Sequence, residues 1–336
     1  MSTLIRAYAA EQAGGELKPF SYDPGPLRPD DVEIVVESCG ICHSDLSMLD
    51  NEWGMSAYPL VAGHEVVGRI EAAGDHVTHL KVGQRVGLGW FAGSCMHCPQ
   101  CMSGHHNLCG GSEQTIVGRH GGFADRVRCK SEWAIPVPDG VEALSAGPLF
   151  CGGITVFGPI VECGVKPTDR VGVVGIGGLG HLAVQFLSKW GCEVTAFTSS
   201  ESKEAAAREM GAHHAVNSKD ADALAKLAGT LDFLLVTVNV AMNWDAYIGA
   251  LAPNGRLNFV GTVMEPVPVG VLSLLTGARS ISGSLLGRPA FAATMLDFCA
   301  RHQIRPQVEY FPMASVNDAL EHLRAGKARY RIVLQA

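Results

Sequence analysis

The chain has 336 residues, 47% of them apolar and 18% charged, with a net charge of −7 and no basic block. That composition belongs to a folded protein of about two domains, argues against nucleic-acid binding, and contains no apolar run near the ~20 residues needed to span a bilayer. The opening Met1-Ser-Thr-Leu-Ile-Arg also lacks the charged-then-apolar pattern of a secretory leader, so a cytoplasmic location is expected, where the 11 cysteines stay reduced.

Residues 1–150 read as short strands between Gly/Pro turns, among them 32–38, 65–72 and 82–86, after an irregular entry at Pro24, Pro26 and Pro29. Runs at this spacing predict an all-β barrel or sandwich. From about residue 153 the period changes. The strand 171–174 is followed by Gly175-Ile-Gly-Gly-Leu-Gly180, and then by Leu179, Leu182, Ala183, Phe186, Leu187 and Trp190 at helical spacing. A strand at 193–197, a helix at 202–210 with Gly211 after it, and strands at 215–216, 231–238 and 255–260 continue the alternation. Strand-helix-strand repetition predicts a doubly wound parallel sheet. After Gly283 the pattern breaks, with helices at 291–302 and 316–325 and a final strand at 330–334.

Four chemical signals stand out. Cys95-x2-Cys98-x2-Cys101-x7-Cys109 spaces four thiolates to close on one tetrahedral zinc ion. An iron–sulfur cluster uses similar spacing, but nothing else here suggests electron transfer. A closed four-thiolate site has no open position and is structural, stapling a lobe at about 93–111.

The glycine run at Gly175, Gly177, Gly178 and Gly180, with Leu179, lies between strand and helix. There its backbone N–H groups can approach a pyrophosphate at a helix N-terminus. At the end of the next strand an NAD site would carry Asp or Glu. This chain reads Thr198-Ser199-Ser200-Glu201-Ser202-Lys203 instead. Small hydroxyls and a lysine suit a 2′-phosphate, so NADP(H) is expected; Glu201 lies three residues beyond Thr198, where it can point to solvent.

The segment Cys39-Gly-Ile-Cys42-His43-Ser44-Asp45 resembles half a zinc knuckle or a redox dithiol at first sight. The remaining signal is dispersed: Gly63-His64-Glu65 and Cys151 are each more often packed residues than ligands. With Cys42 they would suffice for a two-thiolate, one-imidazole zinc site with a fourth position open.

Over essentially its whole length the chain resembles the zinc-dependent medium-chain dehydrogenase/reductases. More closely it resembles their cinnamyl alcohol dehydrogenase group and the bacterial NADPH-dependent broad-specificity aldehyde reductases within it. The resemblance is carried by CGICHSDLSMLDNEWG (39–54), YPLVAGHEVVGRI (58–70), the four-cysteine lobe, LFCGGITVFGP (149–159), VGVVGIGGLGHLAVQF (171–186) and GKARYRIVL (326–334). It implies a GroES-like β-barrel catalytic domain at 1–152, a Rossmann NADP-binding domain at 153–283 and a C-terminal return at 284–336. Two zinc ions per chain are implied. Cys42, His64 and Cys151 would hold the catalytic one, with Glu65 a carboxylate that can approach it. Asp45 would orient His64, Ser44 would pass a proton, and His43 would meet the cofactor pyrophosphate. Thr155 would lie under the nicotinamide and Arg331 near the phosphates, while Trp53, Trp90 and Phe91 would line the substrate pocket. Cys39 is then a packed residue with no metal role. Ser47 stands where many relatives have a relay histidine; a serine does not titrate near neutral pH, so the relay's route and pH dependence are expected to differ. A small-molecule aldehyde or alcohol is the expected partner, in a homodimer formed through the edge of the nucleotide-binding sheet. An NAD-dependent alcohol or polyol dehydrogenase is the alternative.

Overall fold

The computed structural model describes residues 4–336. The polypeptide divides into two compact units, one running to Cys151 and resuming over Arg288–Ala336, the other formed by Gly152–Gly287. The sequence places these seams at 152 and 283.

The first unit opens with β1 (Ile5–Ala9) paired antiparallel to β2 (Lys18–Tyr22). In β3 (Asp31–Ile41) Val32, Ile34 and Val36 are buried while Glu33, Val35 and Glu37 are half-exposed, the alternation of a strand with one face on a core. β3 runs three residues beyond the expected 32–38 because Cys39 and Gly40 find backbone partners on both sides. Cys42 then N-caps α1 (His43–Leu49), a helix that the strand reading of this region did not foresee. Seven residues are too few for helical periodicity to show in sequence.

β4 (Glu65–Ala73), β5 (Arg85–Leu88), β6 (Phe91–Gly93), the one-turn α2 (Pro99–Met102), β7 (Glu113–Gln114), β8 (Arg126–Lys130) and β9 (Ile135–Pro136) follow. The strand expected at 82–86 begins at Arg85, because Lys81 to Gln84 close a turn with Gly83 at φ +83°.

The second unit begins with α3 (Gly152–Glu162), also unforeseen; it is almost wholly buried and carries Pro159 inside it. The alternation then runs β10 (Arg170–Val174), α4 (Gly180–Trp190), β11 (Glu193–Thr198), α5 (Glu201–Glu209), β12 (His214–Asn217), α6 (Ala221–Ala225), β13 (Leu231–Val236), α7 (Trp244–Ala250), β14 (Leu251–Phe259), α8 (Val271–Leu275) and β15 (Ser280–Gly283). All pairs are parallel, in the order β12-β11-β10-β13-β14-β15. This is the doubly wound order, with the reversal of strand order at β10. Val171, Val173 and Val174 are buried together with Leu234, Leu235 and Val236, as expected of strands covered on both faces.

The chain then returns to the first unit through α9 (Pro289–His302), β16 (Val308–Pro312), α10 (Val316–Arg324) and β17 (Arg331–Gln335). β17 joins the large sheet beside β3, giving the order β16-β17-β3-β4-β5-β9 with β8 also on β3. No described helix is long and apolar enough to cross a membrane.

Candidate active site

Three neighbouring strands, β17, β3 and β4, bring their ends to one rim: Ile332 pairs with Ile41, and Gly40 pairs with Glu65. Arg331, Cys42 and Glu65 therefore arrive together from distant parts of the sequence. A side chain on Gly40 would collide with Glu65, since its Cβ would lie 2.0 Å from Oε2. The missing Cβ lets Glu65 reach across β3 to Arg331, with which it forms a buried ion pair. The resemblance implies a place for Arg331 near cofactor phosphates; in the structure its Nη2 pairs with Glu65, while its Nε has no hydrogen-bond partner.

Asp45, fully buried in the first turn of α1, is the clamp of the site. Its Oδ2 accepts from the Cys42 backbone N–H at 2.9 Å. Its Oδ1 accepts from the Gly63 N–H and contacts His64 Nδ1, each at 2.9 Å. The opposite ring nitrogen, His64 Nε2, lies 3.2 Å from Cys151 Sγ, and Cys151 Sγ lies 3.7 Å from Cys42 Sγ. The ligand atoms of Cys42, His64, Glu65 and Cys151 all fall within 4.8 Å of one another, and all four residues are buried.

These separations fit a tetrahedral zinc ion. Zn–S bonds near ~2.3 Å give a sulfur–sulfur edge of about 3.8 Å. Two thiolates also offset the double charge of the ion, and Glu65 Oε2 is buried with no hydrogen-bond partner. The electrostatics differ across the set. The Cys151 hydrogen bond holds Cys42 well below the usual thiol range, while the same bond and burial push Cys151 up. Burial opposes protonation of His64, but Asp45 overrides it and raises the imidazole. Burial pushes the Glu65 carboxyl up to about 7, against the pull of Arg331.

The other cysteine set is equally close, with Cys95–Cys101 at 3.9 Å and Cys98–Cys109 at 3.8 Å between sulfurs. Backbone N–H groups of Cys98, Cys101 and Cys95 point at the sulfurs of Cys95, Cys98 and Cys109 at 3.3–3.5 Å. Hydrogen bonds from His97 and Cys98 draw the Cys95 thiol down to about 6. Four sulfurs leave no position for a substrate, so this set suits a structural ion. Cys39, by contrast, is a buried free thiol that belongs to neither group.

Around the first set, Trp90 stands edge-to-face on His64 with ring centres 5.1 Å apart, and Trp53 packs on Trp90 at 5.9 Å. Both tryptophans are half-exposed. Phe91, expected beside them, is buried with its ring 5.3 Å from Trp133 and serves core packing. His43 is exposed, and Ser44 Oγ lies 3.7 Å from Cys42 Sγ. Buried Ser47, one turn on, donates to the exposed Glu52 at 2.6 Å, an interaction with no motif to announce it.

In the second unit, Gly175 adopts φ +92° and α4 begins at Gly180, whose Cβ would lie 1.9 Å from the Gly175 oxygen. Gly180 therefore packs the helix start directly on the loop. A Cβ on Gly177 would meet nothing within 4 Å, so that side is open, as a backbone-lined phosphate cradle requires. Thr155 is buried in α3. Thr198 is buried at the end of β11, whereas Ser199 and Lys203 are exposed and Ser200 is half-buried; the side chain of Glu201 lies outside the described residues. Three positions thus remain open to a 2′-phosphate. Thr237 and His181, which hold loop carbonyls, were not singled out by sequence.

Two family models match the chain: an alcohol dehydrogenase GroES-like domain over residues 28–139 and a zinc-binding dehydrogenase over 178–301. The chain is 56% identical over 331 residues to an aldehyde reductase AdhA of Synechocystis sp., covering 98% of each. It is 37% identical to a probable cinnamyl alcohol dehydrogenase 8A of Oryza sativa, covering 99% of this chain and 95% of that one. Among solved structures, a cinnamyl alcohol dehydrogenase of Sorghum bicolor superposes with TM-score 0.94 at 35% identity, covering 99% and 98% of the two chains. CAD from Helicobacter pylori, complexed with NADP(H), gives 0.91 at 29% identity, covering 100% and 99%. Identity that runs almost end to end, on a fold matched through both units, shows that the chain belongs to the zinc-dependent medium-chain dehydrogenase/reductase family, in its cinnamyl alcohol dehydrogenase group.

Proposed function

We propose that the protein is an NADPH-dependent reductase that converts a broad range of aliphatic and aromatic aldehydes to primary alcohols, reversibly. The observation that carries the cofactor assignment is the end of β11, where Ser199, Ser200 and Lys203 offer hydroxyls and a cation rather than the carboxylate that would hold an unphosphorylated ribose. The NADP(H) bound to the Helicobacter relative supports it.

In this reading Cys42, His64 and Cys151 hold the catalytic zinc, and Cys95, Cys98, Cys101 and Cys109 hold the structural one. When bound, the catalytic ion supplies Lewis acidity at the carbonyl oxygen, and the reduced nicotinamide supplies the hydride. Asp45 keeps the Nδ1–H tautomer of His64, which leaves Nε2 as the ligand atom. Trp53 and Trp90 form an apolar wall beside that ligand, suited to aldehydes of varied shape because apolar contacts discriminate weakly. Ser44 passes the product's proton. Ser47 carries the path outward to Glu52, so a carboxylate rather than an imidazole stands at its outer end. Gly175, Gly177, Gly178, Leu179 and Gly180, with His43, receive the pyrophosphate, and Thr155 lies under the nicotinamide. Two copies pair along the open edge of β15, near which Leu272 and Leu275 are 72% and 73% exposed.

Steady-state kinetics on a panel of aldehydes with both cofactors test the reading. The expected result is kcat/KM at least about tenfold higher with NADPH, the value of one charge-assisted contact. Equal or faster turnover with NADH would establish the NAD-dependent alternative instead.

A further inference from the structure

The loop between β10 and α4 keeps its carbonyls turned inward by side chains. The Thr237 hydroxyl lies 3.0 Å from the Val174 oxygen and 2.8 Å from the Gly175 oxygen. The Gly177 oxygen meets one residue twice, accepting from the His181 backbone N–H at 3.1 Å and facing its ring Nδ1 at 3.2 Å. A carbonyl oxygen carries no hydrogen, so the ring contact is a hydrogen bond only in the Nδ1–H form. His181 is fully buried in the first turn of α4. Histidine is a poorer helix former than alanine or leucine, and burying its ring is costly unless it is bonded. Local helix formation would be served better by an apolar residue of similar size.

We propose that His181 is a positioning residue for the dinucleotide, an inference that rests on the NADPH reading above. A trans peptide is planar, with its C=O and N–H pointing in opposite directions. Holding the Gly177 oxygen inward therefore aims the Gly178 N–H outward, the way an anion approaches a helix N-terminus. Packing does not hold this plane, because the Gly177 side is open, and two successive glycines turn freely. The His181 backbone N–H holds the oxygen from one side, and the imidazole adds a second restraint on the plane. Thr237 does the same two peptides earlier, for the Ile176 N–H. The loop is thus preorganised before the cofactor arrives, and the ligand does not have to order it.

The test uses the zinc-loaded, full-length protein with His181→Leu and His181→Asn. Titration calorimetry measures NADPH and, separately, adenosine 2′-phosphate, which lacks the pyrophosphate. His181→Leu should weaken NADPH about tenfold, one hydrogen bond's worth of affinity. It should leave adenosine 2′-phosphate binding and kcat at saturating NADPH within about twofold of the unaltered protein. His181→Asn, whose amide can donate from nearly the same place, should recover most of the loss. Undiminished NADPH binding in the leucine variant, equal loss of both ligands, or no recovery with asparagine would each overturn the proposal. Unaltered protein that does not bind NADPH would instead overturn the parent reading, and this inference with it.

Discussion

Replacing Asp45 by asparagine preserves the shape of the side chain and removes its charge. The buried carboxylate serves three donors: the backbone N–H groups of Cys42 and Gly63 and the ring Nδ1 of His64, each at 2.9 Å. The asparagine oxygen can take over the two donors now on Oδ1. Its NH2 group then faces the Cys42 N–H, donor against donor. A charge-assisted hydrogen bond contributes about 1.5–3 kcal/mol, and the two retained bonds weaken as well, so the loss should be about 3 kcal/mol of stability. His64 also loses the anion that orients it and raises its basicity, and such a change lowers metal affinity by roughly 10–100-fold. Zinc content measured against rising chelator reads this directly. The variant should release one ion at a chelator concentration lower by that factor, while the ion of the Cys95–Cys109 lobe stays. Release of the catalytic ion at the same chelator concentration in both proteins would refute the assignment of Asp45 as the clamp.

Cys42→Ala should reduce zinc from two ions to one and abolish turnover, whereas Cys39→Ala should keep both ions; equal loss from the two variants in metal analysis would restore the knuckle reading. Ser199→Asp should weaken NADPH by about tenfold through repulsion of the 2′-phosphate, and unchanged affinity in a direct titration would count against that position. Burial alone would raise Glu37, but hydrogen bonds from Arg85 and Arg69 hold its carboxyl below the ordinary value of 4.5. A depressed carboxyl stabilises the fold above that value and ceases to do so as pH falls through its lower folded-state value. Glu37→Gln should therefore cost about 1 kcal/mol at pH 7, and the gap in denaturant midpoint should close in acid; a gap that is constant with pH would exclude the ion pairs as its origin.

Features with a short-range signature were legible without coordinates. The four lobe cysteines lie within fifteen positions, so spacing alone confines them to one ion. The parallel sheet announced itself through apolar runs that recur with helical stretches between them, a pattern that follows from covering both faces. The glycine run was readable because a turn that tight excludes side chains. The helix α1 escaped because a seven-residue segment carries too little periodicity, and α3 because a helix buried nearly all round has no polar face to mark it.

What the chain determined by itself, then, was the kinds of chemistry present and the sheet class in which they are mounted, because both rest on residues a few positions apart. Residue chemistry allowed a zinc site of Cys42, His64 and Cys151, but only the resemblance tied the three together, since no local rule brings residues 42 and 151 into contact. Tertiary structure decided the rest. It set β17 beside β3, so that Arg331 meets Glu65 over a glycine that clears the way. It turned Phe91 into the core and left Trp90 on His64. It also placed Ser47 against Glu52 and His181 against Gly177. Strand register and hydrogen-bond direction set these contacts, and both exist only once the chain has closed on itself.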